Sequence, residues 1–281
     1  MICYPNAKIN LGLKVLSQRT DGFHNLSSYF IPIPLYDILE VNIADGLDDN
    51  NTITYSGLSL NNQSTDLVLQ AYELLDNDFG LPKVNIHLHK NIPIGSGLGG
   101  GSSNATFMLV LLNELFDLKL TKSQFLKYAN ILGSDCTFFL FNTFSLASSV
   151  GDVLQPINFN FNNYYIVILK PDFECSTKEI FSRFELEKPN LGQPFSNFSI
   201  NSSDWKKVLN NDFESLVFSL YPKLKKIKKH LYDSGAIYSG MTGSGASVYG
   251  LFKTPPKINL SDSFWRWECS LTETIPFRSV F

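Results

Sequence analysis

Cysteine, methionine and tryptophan are scarce in this 281-residue chain, with 4, 3 and 3 residues. Cys3, Cys136, Cys175 and Cys269 are widely scattered and make no Cys-x-x-Cys pair, which argues against a structural zinc site and against a disulfide framework. Nowhere do about 18 apolar residues run unbroken, the length a membrane-spanning helix needs, and Lys8 is not followed by the apolar run of an export signal. The expectation is a cytoplasmic protein in a reducing compartment, with no membrane partner. A surplus of either charge is missing too. Lys and Arg number 23 against 26 Asp and Glu, for a net charge of -3, so a broad nucleic-acid-binding surface would have to be a local exception. The local exception is Lys223, Lys225, Lys226, Lys228 and Lys229. Leu224, Ile227 and Leu231 recur between them at helical spacing, however, which predicts the solvated face of an amphipathic helix. Small molecules are the expected partners, and nucleic acid is not.

What is present is ordinary globular material, 44% hydrophobic and 17% charged, long enough for two modest domains. Short β-like runs, Tyr29–Leu35 and Ile38–Ile43, are broken by Pro32, Pro34 and the acidic turn Asp45–Asn51. Asp66 is placed to cap a helix reaching about Leu75, and Val84–His89 alternates as a strand. Helices are predicted after Ser102-Ser103 and from Thr121 to Gly133, with Ser134-Asp135-Cys136 opening a run of large apolar residues. Beyond the asparagine-rich segment Asn158–Asn163 come a strand, Tyr164–Leu169, helices over Thr177–Phe184, Asp212–Leu220 and Tyr221–Tyr232, and β-like runs Ala236–Met241 and Ser247–Phe252. The order predicts an α+β protein with mixed or antiparallel sheets, divided into domains 1–157 and 158–281.

The most informative segment is Ile94–Ala105, Ile-Gly-Ser-Gly-Leu-Gly-Gly-Gly-Ser-Ser-Asn-Ala, at a strand-to-helix joint. Its glycines leave backbone amides unobstructed to converge on an anion at a helix N-terminus, which is chemistry for holding phosphate. Ser102 and Ser103 fit either helix caps or contacts to phosphate and magnesium, and the roles are compatible. Gly95, Gly97 and Gly100 also satisfy the dinucleotide pattern G-x-G-x-x-G, but no second strand ending in an acid follows about 20 residues on. No Gly-Lys-Ser/Thr follows the loop, so a Walker site is excluded. A flexible linker is disfavoured because the glycines abut a well-patterned helix. Gly240–Ala246 forms a second glycine cluster, and two such loops far apart in sequence can face one inter-domain cleft.

Three segments, Pro5–Leu11, Ile94–Ala105 and Met241–Ala246, resemble the three motifs of the GHMP kinases, named for galactokinase, homoserine kinase, mevalonate kinase and phosphomevalonate kinase. Arg19–His24 and Gly133–Cys136 resemble the branch of that superfamily whose acceptor is a branched tetritol carried on cytidine diphosphate, in the non-mevalonate route to isoprenoid precursors. The resemblance implies a ribosomal-protein-S5-domain-2-like N-terminal domain, a ferredoxin-like C-terminal domain and an active site in the cleft between them. It implies a monomer or homodimer using ATP and Mg2+, with no residue assigned as a direct protein ligand of the metal.

Carried over residue by residue, the resemblance makes Asp135 the base that takes the proton of the acceptor's 2-hydroxyl, with Lys8 beside it. A carboxylate at hydrogen-bond distance gives general-base help of about 10²- to 10⁴-fold to a weakly nucleophilic alcohol. By residue type alone Asp135 also reads as a turn cap and Lys8 as a surface lysine with a buried stem. Lys90, Pro93, Gly95, Ser96, Gly97, Leu98, Gly99, Gly100, Gly101, Ser102 and Ser103 correspond to the nucleotide site. Asn10, Phe23, His24, Phe181, Gly243 and Ser244 correspond to the acceptor site, with His24 on the edge of the cytosine ring and Phe23 and Phe181 against its faces. Phe23 replaces a tyrosine of the pattern and Thr137 a proline; neither removes a reacting group. The rival readings are a GHMP kinase for another alcohol, which would lack the cytidine pocket, and a non-catalytic nucleotide sensor, which would have no use for both Lys8 and Asp135.

Overall fold

The computed structural model describes residues 1–44, 50–59, 66–184, 193–196, 198, 201–259, 264–271 and 280. The chain opens with β1 (Ile2–Cys3), β2 (Asn6–Gln18), β3 (His24–Tyr36), β4 (Ile38–Ile43) and β5 (Thr52–Gly57). It continues through α1 (Leu67–Phe79), β6 (Val84–Lys90), α2 (Gly100–Leu115), α3 (Lys122–Leu132), α4 (Cys136–Phe141), β7 (Ser145–Ser148) and β8 (Val153–Pro156). After an irregular stretch come β9 (Tyr165–Lys170), α5 (Thr177–Arg183), α6 (Trp205–Val208), α7 (Glu214–Leu220), α8 (Pro222–Asp233), β10 (Tyr238–Met241), β11 (Val248–Phe252) and β12 (Trp265–Ser270).

Three four-stranded sheets result, ordered β1-β4-β6-β5, β2-β3-β7-β8 and β10-β11-β9-β12. The first is mixed, because β5 runs parallel to β6, and the other two are antiparallel. The expected class, α+β with mixed and antiparallel sheets, is the one observed. Strand β6 shows why alternation worked as a signal: Val84, Ile86, Leu88 and Lys90 are buried, while Asn85, His87 and His89 are less so. Asp66 caps α1 by accepting from the Val68 amide at 2.7 Å, and Thr121 with Gln124 forms a reciprocal capping box on α3.

Two expectations need correcting. Tyr29–Leu35 is not a short run stopped by prolines but part of the 13-residue β3. Pro32 and Pro34 are tolerated because β7 pairs with β3 only over Ser28–Phe30, so on that side neither proline faces a strand needing an amide. Ser102 and Ser103 do not cap α2; Gly99, at φ +74°, occupies the cap position and both serines lie inside the first turn. Serine would fit that cap poorly, since the left-handed region favours glycine.

Helix α2 is the central post of the N-terminal half: Ser103 through Leu112 are all buried, against α1, α3, α4 and the first sheet. A second core joins the halves. Ile9, Leu11, Tyr29 and Ile31 of β2 and β3 pack with Ile166, Ile168, Tyr249 and Leu251 of the third sheet and with Trp205. The asparagine-rich segment contributes to it, because Phe159 and Phe161, alternating with those asparagines, pack on Phe144 and Trp205. Lys228 of α8 pairs with Glu214 at 2.6 Å while Leu224, Ile227 and Leu231 are buried, as the lysine-rich helix required. Among the described residues no helix is long and apolar enough to cross a membrane.

Candidate active site

A cavity of about 1230 Å³ lies where the two glycine clusters meet, bordered by β2, the start of α2, the start of α4, and α5. Lys8 is 3% exposed at its floor. Its Nζ donates to Asn10 Oδ1 at 2.7 Å, pairs with Asp135 Oδ2 at 3.1 Å and lies 4.7 Å from the centre of the Phe30 ring. Asp135 precedes α4 in the cap position but makes no side-chain capping bond there. Its carboxylate, about one-third exposed, is therefore directed at Lys8 and the cavity rather than spent on the helix. Two residues far apart in sequence meet because Lys8 N donates to Leu98 O at 2.9 Å, tying β2 to the glycine loop that begins α2.

Asn10 is held from several directions. Its Nδ2 donates to Ser28 Oγ at 3.0 Å, its backbone amide donates to Thr242 Oγ1 at 3.1 Å, and its carbonyl accepts from Tyr249 Oη at 2.7 Å. Thr242 Oγ1 is also 2.9 Å from Gly97 O, so one buried hydroxyl touches all three motif segments. Ala246 N and Ser247 N reach Gly95 O and Ser96 O, completing a clasp between the glycine clusters. At Gly97, φ is +75° and a Cβ would stand 2.2 Å from Thr242 O; at Gly99 it would meet Lys8 Cε at 3.1 Å. Glycine is required there by space as well as by φ.

The nucleotide-site candidates divide. Lys90, Pro93, Gly95, Ser96, Gly97, Gly99, Gly100, Gly101 and Ser102 line the cavity, whereas Leu98 and Ser103 do not. Leu98 is fully buried in the second core and serves through its carbonyl; Ser103 is buried within α2. The amides opening α2 have no acceptor within the helix and face the cavity. Lys90 is 4% exposed and its Nζ is hydrogen-bonded to Asp37 Oδ2, so its charge is already balanced. Asp37, wholly buried, also accepts from the amides of Asn91 and Ile92, both at 2.8 Å. This carboxylate anchors the entry to the glycine loop and was missed in the sequence; the signal was an acid interrupting two apolar β runs. Thr242 was missed because a threonine next to Gly243 reads as turn chemistry.

At the other end, His24 is 6% exposed and its Nδ1 has no hydrogen-bond partner. Burial pushes its pKa below the usual 6.5, favouring the neutral ring. Phe181 of α5 lies 5.2 Å from the His24 ring centre, and Phe23 sits 62% exposed at the rim. Gly243 and Ser244 border the cavity between this aromatic end and Asn10, and Ser244 Oγ is 2.8 Å from Thr177 Oγ1. Among the described residues no three His, Cys, Asp or Glu side chains converge to hold a metal ion.

A glycine cradle at a helix start, facing a Lys–Asp pair across a cleft, defines a small-molecule kinase of the GHMP type. The family models for the GHMP kinases N terminal domain and the GHMP kinases C terminal match residues 66–143 and 198–260. The chain is 44% identical over 269 residues to a 4-diphosphocytidyl-2-C-methyl-D-erythritol kinase of Bacteroides fragilis (strain YCH46), covering 93% of this chain and 96% of the relative. It is 42% identical to that of Cytophaga hutchinsonii, covering 92% and 94%. A crystal structure of 4-(cytidine 5'-diphospho)-2C-methyl-D-erythritol kinase superposes with a TM-score of 0.72 at 28% identity, over 89% of this chain and 90% of that one. The chain belongs to the 4-diphosphocytidyl-2-C-methyl-D-erythritol kinase family. A mevalonate kinase from L. major, at TM-score 0.65 and 15% identity over 95% of both chains, shares the fold.

Proposed function

We propose that the protein transfers the γ-phosphoryl of ATP to the 2-hydroxyl of 4-diphosphocytidyl-2-C-methyl-D-erythritol, giving ADP and the 2-phosphate in non-mevalonate isoprenoid precursor synthesis. The observation that carries this reading is the uncapping Asp135, 3.1 Å from buried Lys8, at the floor of a cavity that has a phosphate cradle on one side and an aromatic, histidine-bearing pocket on the other. Its domains are proposed as 1–157 and 158–281, with the acceptor and nucleotide meeting between them.

Bound ATP places its phosphates against the amides of Gly99–Ser102, where the positive end of α2 favours anions and no glycine side chain intervenes. The pyrimidine of the acceptor enters between Phe181 and Phe23, and the neutral His24 ring, which lines the cavity beside Phe181, meets the ring edge. Asp135 accepts the proton of the 2-hydroxyl as that oxygen bonds to the γ-phosphorus; the bond between the γ-phosphorus and the bridging β,γ oxygen breaks, and its electrons leave with ADP. Lys8, 3.1 Å from Asp135, offsets charge on the phosphoryl in transit. Asn10 fixes the lysine, so the charge is set before substrate arrives and little reorganisation is needed. Magnesium is proposed to arrive with the nucleotide; Ser102 and Asp135, which line the cavity, could supply oxygen donors to it, and the ion would neutralise phosphate charge.

Asp135→Asn preserves size and removes the base. The expected outcome is retained ATP affinity with turnover lower by ~10³-fold. Undiminished turnover would take Asp135 out of the base role.

A further inference from the structure

Three lysines line the cavity, and two are already neutralised: Lys8 by Asp135 at 3.1 Å and Lys90 by Asp37. The third, Lys178 of α5, is exposed and has no carboxylate partner among the described residues. The neighbouring acid on its own helix, Glu179, is committed to Arg183 at 2.8 Å. We propose that Lys178 is the cation that receives the diphosphate linking cytidine to the acceptor alcohol, and so sets selectivity for a charged, nucleotide-linked acceptor over a free polyol. This rests on the substrate assignment above.

The placement follows from a chain of contacts along the cavity wall. Phe181, one helical turn after Lys178, lies 5.2 Å from the His24 ring and marks the pyrimidine end. Thr177, beside Lys178, is joined to Ser244 at 2.8 Å, and a Cβ on Gly243 would stand 3.7 Å from Asn10 Oδ1. Asn10 leads to Lys8 at 2.7 Å and Lys8 to Asp135. Lys178 thus stands between the pocket for the base and the carboxylate for the alcohol. In a cytidine diphosphate ester the two phosphates occupy that interval and carry the ligand's charge. An ammonium on a flexible stem suits a phosphate pair whose oxygens need no planar, two-pronged match. Cavity-facing residues 177, 178, 181 and 182 share one face of α5, so the helix turns Lys178 and Phe181 to the same ligand.

The test is calorimetric binding of cytidine and of CDP to the wild-type protein, K178M and K178R, all with saturating ADP so that CDP reports the acceptor half of the cavity. Wild type is expected to bind CDP more tightly than cytidine. In K178M the CDP affinity falls about tenfold, the scale of one charge-assisted contact, while cytidine affinity holds; K178R restores most of the loss. Equal CDP affinity in wild type and K178M, or a parallel fall for cytidine and CDP, overturns the role of Lys178. Failure of the wild-type protein to bind either ligand overturns the cytidylyl assignment itself, and the proposal with it.

Discussion

Gly97→Ala tests whether the clasp between the two glycine clusters holds the reacting groups in register. An alanine Cβ at position 97 would lie 2.2 Å from Thr242 O, 3.0 Å from Gly245 O and 3.1 Å from Thr242 C, at φ +75°. Ordinary carbon contacts begin near ~3.5 Å, so the loops must part by roughly 1 Å, and all three obstacles are backbone atoms that cannot swing aside. The left-handed backbone adds roughly 1–2 kcal/mol. Parting the loops pulls Gly97 O from Thr242 Oγ1, and Thr242 is what holds Asn10 beside Lys8. A misplacement of about 1 Å in a positioned site costs ~10²-fold in rate. The expected result is a kcat/KM for ATP lower by about that factor, with a reduced Tm. Gly101→Ala is the steric control for stability: its Cβ would sit 3.5 Å from Leu67 Cδ1, inside a helix turn, where alanine gains up to about 1 kcal/mol of helix propensity. A Gly97→Ala protein with the wild-type Tm and kcat/KM would refute the clasp.

Asp37→Asn leaves Lys90 buried without its counter-charge, so unfolding free energy should drop by about 3–5 kcal/mol, read as an earlier denaturant midpoint; a change within 0.5 kcal/mol, roughly the scale of a neutral surface substitution, would contradict the anchoring role. His24 has a folded pKa below 6.5, so between that value and 6.5 the unfolded chain binds more protons than the native one. Its contribution to stability is complete above about 6.5 and lost as pH falls through the folded pKa. KM for the cytidylyl substrate should rise over the same acid range, and His24→Gln should remove that part of the pH profile; an unchanged profile would free the ring from cytosine binding.

The segments that read most clearly in the sequence were those whose signal is local. The Asp66 cap, the helix start at Thr121, the alternation of β6 and the glycine loop each depend on residues within a few positions, and each falls where expected. Lys8 and Asp135 meet only through strand pairing and the Lys8 N to Leu98 O bond, contacts that no local pattern contains, and their pairing was reached through motif resemblance. Strand β12 was not anticipated, although Trp265, Trp267 and Cys269 alternate with Arg266, Glu268 and Ser270 as a strand's residues do; what holds it is its pairing to β9, a contact about 100 residues away in sequence. Asn158–Asn163 reads as a linker by its asparagines, yet Phe159 and Phe161 belong to the core joining the halves. Expectations within 45–49, in the acidic turn, lie outside the described residues.

The central claim is the acceptor. ADP release with ATP and magnesium should be measured against 4-diphosphocytidyl-2-C-methyl-D-erythritol, mevalonate, homoserine and galactose in turn. Turnover with the cytidylyl substrate alone is the predicted result; turnover with one of the other alcohols in its place, or ATP binding with silence toward all four, would contradict it.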